Sequence, residues 1–225
     1  MIRLSAAQAY PRWAASYDQE NVITSLDCAL ADQLTPPIAG ARLLDVGCGT
    51  GRRLIGLKAV EIVGVEPCAE MLDQGRKTFD FGDDVQLFHA DGRAMPLPDA
   101  HFDVVWCRLV IGHLEHCEDL LRDISRVAAP DANVIITDFH PEAYTAGLRR
   151  SFRDGDEVID VQHTVHKAAA IAEQAAQFGL TLTETMDGRI GPEVRQFYDE
   201  ADRLERYEQQ LGMPMVSAMR LCKDG

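Results

Sequence analysis

The sequence predicts an α/β fold, a parallel sheet covered by helices on both faces. Three observations carry this. Short apolar runs recur along the chain, namely ARLLDV (41–46), VEIVGV (60–65), DVQLFHA (84–90), FDVVWCR (102–108) and NVIITDF (133–139), and such continuous runs mark strands buried on both sides. Between them lie RRLIGLKA, CAEMLDQGRKTF and HCEDLLRDISRVAA, whose apolar residues return at helical spacing. Strand and helix thus alternate, which argues right-handed crossovers within a parallel sheet. The 225 residues are 46% hydrophobic and 26% charged, enough apolar material for one sizeable core, so a single domain over 1–225 is expected.

Taken in order, residues 1–40 form an N-terminal helical cap. It opens on the aromatics Tyr10, Trp13 and Tyr17 and holds a helix with Val22, Ile23, Leu26, Leu30 and Leu34 on one face, stopped by Pro36-Pro37. The five runs above and their helices make a core over 41–139. Residues 150–165 read as a hairpin around Asp154-Gly155, and VHKAAAIAEQAAQF as a helix ended by Gly179. LTLTETM (180–186) is a sixth strand. Gly191-Pro192 opens a helix over 192–211, with Val194, Phe197, Tyr198, Ala201, Leu204, Tyr207 and Leu211 at i, i+3, i+4 spacing, and PMVSAMRLCK (214–223) is a final strand.

The charge is 22 − 36 = −14, which repels nucleic-acid backbones and anionic membranes and suits a small or cationic ligand. None of the six cysteines forms a CxxC pair, so neither a zinc ribbon nor a disulfide framework is implied. No signal-peptide core occupies the first twenty residues, and VVWCRLVIGHL is broken by Arg108. A cytoplasmic protein is expected.

The most informative stretch is Leu43-Leu44-Asp45-Val46-Gly47-Cys48-Gly49-Thr50-Gly51-Arg52, where a buried strand runs into three alternating glycines and then an expected helix. Glycines admit positive φ and let a ligand approach the backbone, while free N–H groups at a helix start favour an anionic group. Glu66 ends the second strand nineteen residues after Gly47, where a carboxylate can accept from both hydroxyls of a ribose. Together these describe a site for an adenosine-containing ligand. The dinucleotide spacing G-x-G-x-x-G/A would place its third glycine on Arg52, which disfavours an NAD(P)-dependent oxidoreductase, the alternative chemistry. A non-catalytic binding module is the third reading.

Here the sequence resembles the class I S-adenosylmethionine-dependent methyltransferases. LLDVGCGTGR is similar to their first motif, VGVEP to the acidic motif ending the second strand, and ADGRAMPLPDAHFDVVWCRLVIGHLEH to their third- and fourth-strand region. RVAAPDANVIITDF resembles their approach to the fifth strand, with Pro130-Asp131-Ala132 where proline and glycines are usual. The resemblance implies a Rossmann-like, seven-stranded, mostly parallel sheet with the last strand antiparallel, and S-adenosyl-L-methionine as cofactor. It further implies that Gly47, Gly49 and Gly51 cradle the methionine end, with Asp45 orienting its ammonium. Glu66 would hold the ribose, and Asp91 would accept from the adenine amine beside the Gly92 N–H, between Val65 and Met71. Arg108 would line the methyl-donor site and Tyr17 would close over it. Segments 142–165 and 192–211 are insertions relative to a minimal member, the first an expected lid.

The reaction implied is methyl transfer to an oxygen, nitrogen or carbon nucleophile of a small molecule, leaving S-adenosylhomocysteine. Alignment supplies most of the rate in such a displacement, and a base is needed for a hydroxyl acceptor. Candidate bases follow the fourth and fifth strands: His113 and His116, and above all His140. Arg149 and Arg150, with Arg153, could hold an anionic acceptor or could pair with Asp154, Asp156 and Glu157. The resemblance also argues against nucleic acid as substrate, because Cys107-Arg108-Leu109-Val110 stands where base-amine methylators carry Asn/Asp-Pro-Pro-aromatic. No metal is expected, since Trp106-Cys107-Arg108 lacks the carboxylates of metal-dependent relatives, and His163 and His166 lie three apart without a clear third ligand.

Overall fold

A computed structural model describes residues 2–225. The chain opens on β1 (Ile2–Leu4), a strand that no sequence pattern announces, followed by α1 (Ala6–Trp13). Helix α2 (Val22–Leu34) begins at Asn21, whose Oδ1 accepts from the N–H groups of Ile23 (3.0 Å) and Thr24 (3.1 Å). Its Leu26, Leu30 and Leu34 are buried as their spacing requires. Strand β2 (Arg42–Val46) leads into the glycine loop, and here the expected helix over 52–59 is absent. Only a 3-10 turn, Arg52–Leu54, forms before Ile55 turns extended and Gly56 takes φ +73°, so no α-helix starts directly after the loop. Strand β3 (Glu61–Glu66), α3 (Ala69–Thr78), β4 (Val85–His89), β5 (Phe102–Arg108) and α4 (Glu118–Val127) follow. The β4–β5 link contains no helix, so of the crossovers read from sequence two are helical.

Strand β6 (Ala128–Phe139) starts five residues earlier than its apolar run. Its pairing to β5 shifts register between Phe102 and Val104, where Asp131 at φ +62° bends the chain as a glycine would. Beyond it come α5 (Pro141–Thr145), β7 (Ser151–Asp154), β8 (Glu157–Val161), α6 (Ala168–Ala176) and β9 (Leu180–Arg189). The long helix expected over 192–211 is instead a 3-10 turn with α7 (Arg195–Glu200) and α8 (Leu204–Gln210), broken where Asp202 adopts φ +53°. Strand β10 (Pro214–Lys223) closes the fold.

Seven strands form the main sheet in the order β4-β3-β2-β5-β6-β10-β9. All are parallel except β10, the last in sequence, which is antiparallel to both neighbours. Apolar side chains of α2 and α3 pack on one face and those of α4 and α6 on the other, giving two core layers. The chain order reverses between β2 and β5, so the carboxyl ends of these strands open the crevice where such sheets bind ligands.

The hairpin at Asp154-Gly155 forms as read, and β1 joins it in a small sheet ordered β1-β8-β7. Trp13 of α1 stacks on Phe152 at 4.5 Å, so the N-terminal cap and the 142–165 segment are one packed unit. Asp154 and Glu157 pair with Arg12, at 2.6 and 2.8 Å, rather than with the neighbouring arginines. No helix among the described residues is long and apolar enough to cross a membrane.

Candidate functional site

A cavity of about 630 Å³ lies over the carboxyl ends of β2, β3, β4 and β5, roofed by α1 and Tyr17. Its floor is the glycine loop. Gly47 and Gly49 have φ +75° and +60°, and an added Cβ would stand 2.3 Å from Val110 Cγ2 in the first and 3.2 Å from the Tyr17 ring in the second. Both therefore need to be glycine for backbone and space alike. Gly51, also at φ +76°, packs under Phe81 and Leu87 and does not line the cavity, so its expected place in the cradle is not where the structure puts it. Helix α3 crosses so close behind that a Cβ on Gly75 would meet the Thr50 carbonyl oxygen at 1.9 Å.

Glu66 reaches the floor from the end of β3. One carboxylate oxygen accepts from the Gly49 N–H (3.0 Å), the other from the Cys68 N–H (2.9 Å), and burial holds the carboxyl above its ordinary pKa. Each oxygen keeps a further lone pair. Asp91 and Gly92 line the wall after β4, but the Asp91 carboxylate is forked by Arg93 (Nη2 to Oδ2, 2.6 Å), whose hydrogen bonds pull its pKa down. Of the two expected adenine walls, Met71 lines the cavity and Val65 is in the core.

Asp45 sits one level deeper, against a side cavity of about 40 Å³ shared with Tyr17, Gly47 and Arg108. Burial pushes its pKa up to about 7, opposed by Arg108. Arg108 lines both cavities, yet its guanidinium is taken by Asp27 of α2 (Nη2 to Oδ2, 2.7 Å), which also accepts from the Thr137 hydroxyl (2.6 Å). Sequence reading missed Asp27 and Thr137. The signal was there, because Asp27 is a carboxylate in the buried stripe of α2 beside Leu26 and Leu30.

On the turn after β5, His113 also lines the cavity. Its Nε2 lies 2.7 Å from the Tyr10 hydroxyl and 3.2 Å from Arg150 Nη1. A guanidinium only donates, so Nε2 carries the lone pair and neutral His113 holds its proton on Nδ1. Arg150 also donates to the Tyr10 oxygen (3.1 Å) and the Leu109 carbonyl (2.8 Å). Buried, it is 7% exposed and all three partners are neutral. Burial lowers the His113 pKa well below the usual imidazole range, and Arg150 lowers it further.

His140 is elsewhere. Its Nδ1 accepts from the Glu142 N–H (3.1 Å) as the cap of α5, its Nε2 is 3.6 Å from Asp187, and it does not line the cavity. Both His113 and His140 follow strand ends, but the turn after β5 folds over the cavity whereas α5 carries the chain away from it. His116 lies outside the lining as well. Arg149 is separated from Arg150, stacking on Tyr144 at 3.9 Å and lining another groove of about 500 Å³. Arg153 is exposed on β7.

A glycine loop answering an acidic residue at the next strand end, on a sheet with one antiparallel strand, defines the class I S-adenosylmethionine-dependent methyltransferases, and the chain belongs to them. Residues 44–136 match the family model described as a methyltransferase domain. The 27-O-demethylrifamycin SV methyltransferase of Amycolatopsis mediterranei is 32% identical over 163 residues, 70% of this chain and 58% of that protein. The ubiquinone/menaquinone biosynthesis C-methyltransferase of Pseudomonas savastanoi is 31% identical over 147 residues, 59% and 57% of the two chains. The chain thus spans under three-fifths of the length of these relatives. A crystal structure of an S-adenosylmethionine-dependent methyltransferase from Mesorhizobium loti shares the fold, with TM-score 0.69 at 13% identity over 90% of this chain and all of that one.

Proposed function

We propose that this protein moves a methyl group from S-adenosylmethionine to an oxygen, nitrogen or carbon nucleophile of a small molecule. One observation carries the reading: the glycine loop with Glu66 and the Tyr10–His113 pair converge on a single cavity. The cradle fits the cofactor, since Gly47 and Gly49 leave a floor that any Cβ would fill and Glu66 presents lone pairs into it. Gly47, Gly49 and Glu66 would hold the methionine and ribose parts, Asp91 and Gly92 the adenine, and Asp45 the ammonium. Bound there, the sulfonium supplies a methyl group activated for in-line displacement.

The chain's own residues do the rest. Tyr10, Tyr17 and α1 cover the cavity and exclude water. Tyr10 takes the acceptor's proton on its oxygen while passing its own to His113 Nε2, so His113 replaces His140 as the base. Arg150 fixes both partners from behind the cavity wall and does not itself line the cavity, so it orients the pair and the expected anchoring of an anionic acceptor is not carried over to it. Six free cysteines suit the cytoplasm. The oxidoreductase reading lacks support, because no helix starts behind Gly51 to pack as a dinucleotide loop requires. Radiolabelled S-adenosylmethionine incubated with the protein and a small-metabolite extract should label one compound class. Binding of NAD with none of S-adenosylhomocysteine would overturn the proposal.

A further inference from the structure

Among the described residues, seven buried side-chain polar atoms have no hydrogen-bond partner in the protein, and five of them belong to His113, Asp138 and His163. These residues come from the turn after β5, the end of β6 and the exit of β8. His163 Nε2 lies 3.5 Å from Asp138 Oδ2, and the His163 and His113 rings meet edge to face with centroids 6.1 Å apart. The backbone is shaped around this contact. A Cβ on Gly112 would fall 1.9 Å from His163 Cε1, and the Thr164 N–H donates to the Gly112 carbonyl at 2.8 Å. Tyr10, His113, His163 and Asp138 thus form a row running from the cavity wall into the protein.

Methylation of an O–H or N–H group releases a proton, and His113 is poorly placed to keep it. Its imidazolium would stand 3.2 Å from the Arg150 guanidinium in a wall largely closed to water. A carboxylate further along the row becomes neutral on accepting the same proton. We propose that Asp138, reached through His163, is the terminal proton acceptor of the methyl transfer assigned above; the inference rests on that assignment.

The balance is complete. The X–H electron pair of the acceptor forms the X–C bond, and the C–S pair stays on the sulfur of the sulfonium donor. The X–H proton goes to the Tyr10 oxygen as the Tyr10 proton goes to His113 Nε2. The Nδ1 proton of His113 passes through a bridging water to His163 Nδ1, since neither nitrogen has a partner within the protein, and the Nε2 proton of His163 passes to Asp138 across 3.5 Å, leaving a carboxylic acid and two neutral imidazoles. After product leaves, the proton travels back along the row to Tyr10 and out through the emptied cavity, which restores both imidazole tautomers, since Asp138 itself is buried. The charged and titratable groups around the row are Tyr10 and Arg150 at His113, Arg150, His166 and Tyr144 at His163, and Arg150, Asp27, Cys107 and Cys117 at Asp138. Burial lifts the Asp138 pKa to about 7 and pulls His163 down to about 3, so near neutrality the carboxyl is the member that gains and loses the proton.

Neither Asp138 nor His163 touches the acceptor, so the test needs a readout that a packing role would leave unmoved. The full chain saturated with S-adenosylhomocysteine is followed by carbon-13 carboxyl NMR across pH 5 to 9, and label transfer from S-adenosylmethionine to the metabolite extract is timed over the same range. Asp138 should titrate near neutrality, and the wild-type rate should rise through that pH and level off. Asp138→Asn, near-isosteric, should slow transfer about 10²-fold at pH 7 with unchanged cofactor affinity, its rate climbing with hydroxide to pH 9. His163→Gln should behave alike. A folded Asp138→Asn with wild-type rate and profile overturns the relay alone, as does Asp138 titrating near pH 4. A wild type that binds S-adenosylhomocysteine but labels nothing overturns the methyltransferase reading and the relay with it.

Discussion

Replacing Glu66 by Gln keeps the shape of the cavity floor and removes its charge. In the folded protein the two carboxylate oxygens accept from the Gly49 and Cys68 N–H groups at 3.0 and 2.9 Å, so Glu66 shapes the loop before any ligand arrives. Glutamine can accept only one of these bonds and turns its NH2 on the other donor. Losing one charge-assisted bond costs about 1.5–3 kcal/mol, which for a domain of this size lowers Tm by about 4–10 °C. Toward the ligand, the carboxylate would accept from both ribose hydroxyls. Exchanging two charge-assisted bonds for neutral ones loses about 2–3 kcal/mol, a rise in Kd of about 30- to 150-fold. Titration calorimetry with S-adenosylhomocysteine, run beside thermal melts, separates the two effects. A lowered Tm with wild-type affinity would confine Glu66 to shaping the loop and refute its contact with the ribose, while an unchanged Tm would refute the loop role.

Gly49→Val forces a β-branched side chain to φ +60° and places its Cβ 3.2 Å from Tyr17 and 3.3 Å from Met71, so S-adenosylhomocysteine should no longer raise the melting temperature. Asp27→Ala leaves the Arg108 guanidinium buried without its carboxylate and should cost about 3–5 kcal/mol in urea unfolding, against little change for an exposed carboxylate such as Asp73. Asp45 has a folded pKa raised to about 7, so its contribution to stability is complete below about pH 4 and is lost as pH rises through 7; in Asp45→Asn that loss should vanish. The ionised form pairs better with a cationic ligand, so wild-type affinity for S-adenosylmethionine should rise over the same interval with release of a proton, measurable by calorimetry in two buffers. His113→Ala should lower turnover on a hydroxyl acceptor about 10²–10⁴-fold while His140→Ala leaves it unchanged, and equal effects from the two would return His140 to consideration. Arg150→Ala should lower turnover more than it raises the acceptor's KM, since it removes the group that orients Tyr10 and His113 from behind the cavity wall.

The amino-acid sequence alone determined the seven strands and the cofactor loop, and the reason is local. A strand buried on both faces must be apolar along its length, so β2, β3, β5 and β6 are legible as runs. A backbone forced to positive φ must be glycine, so Gly47, Gly49 and Gly51 announce their turn whatever packs around them, and Glu66 follows at the end of the next run. Periodicity misled where it was short. RRLIGLKA carries four apolar positions but has Gly56 within it, and tertiary packing resolved it into a 3-10 turn. Only the tertiary structure could choose between His113 and His140, or between Arg149 and Arg150, because each pair looks equivalent along the chain. The site contacts that matter there span 103 residues from Tyr10 to His113, 140 from Tyr10 to Arg150 and 81 from Asp27 to Arg108. Side chains so distant meet through the order of the strands and the turn each one takes at its end, and neither is written in the residues on either side.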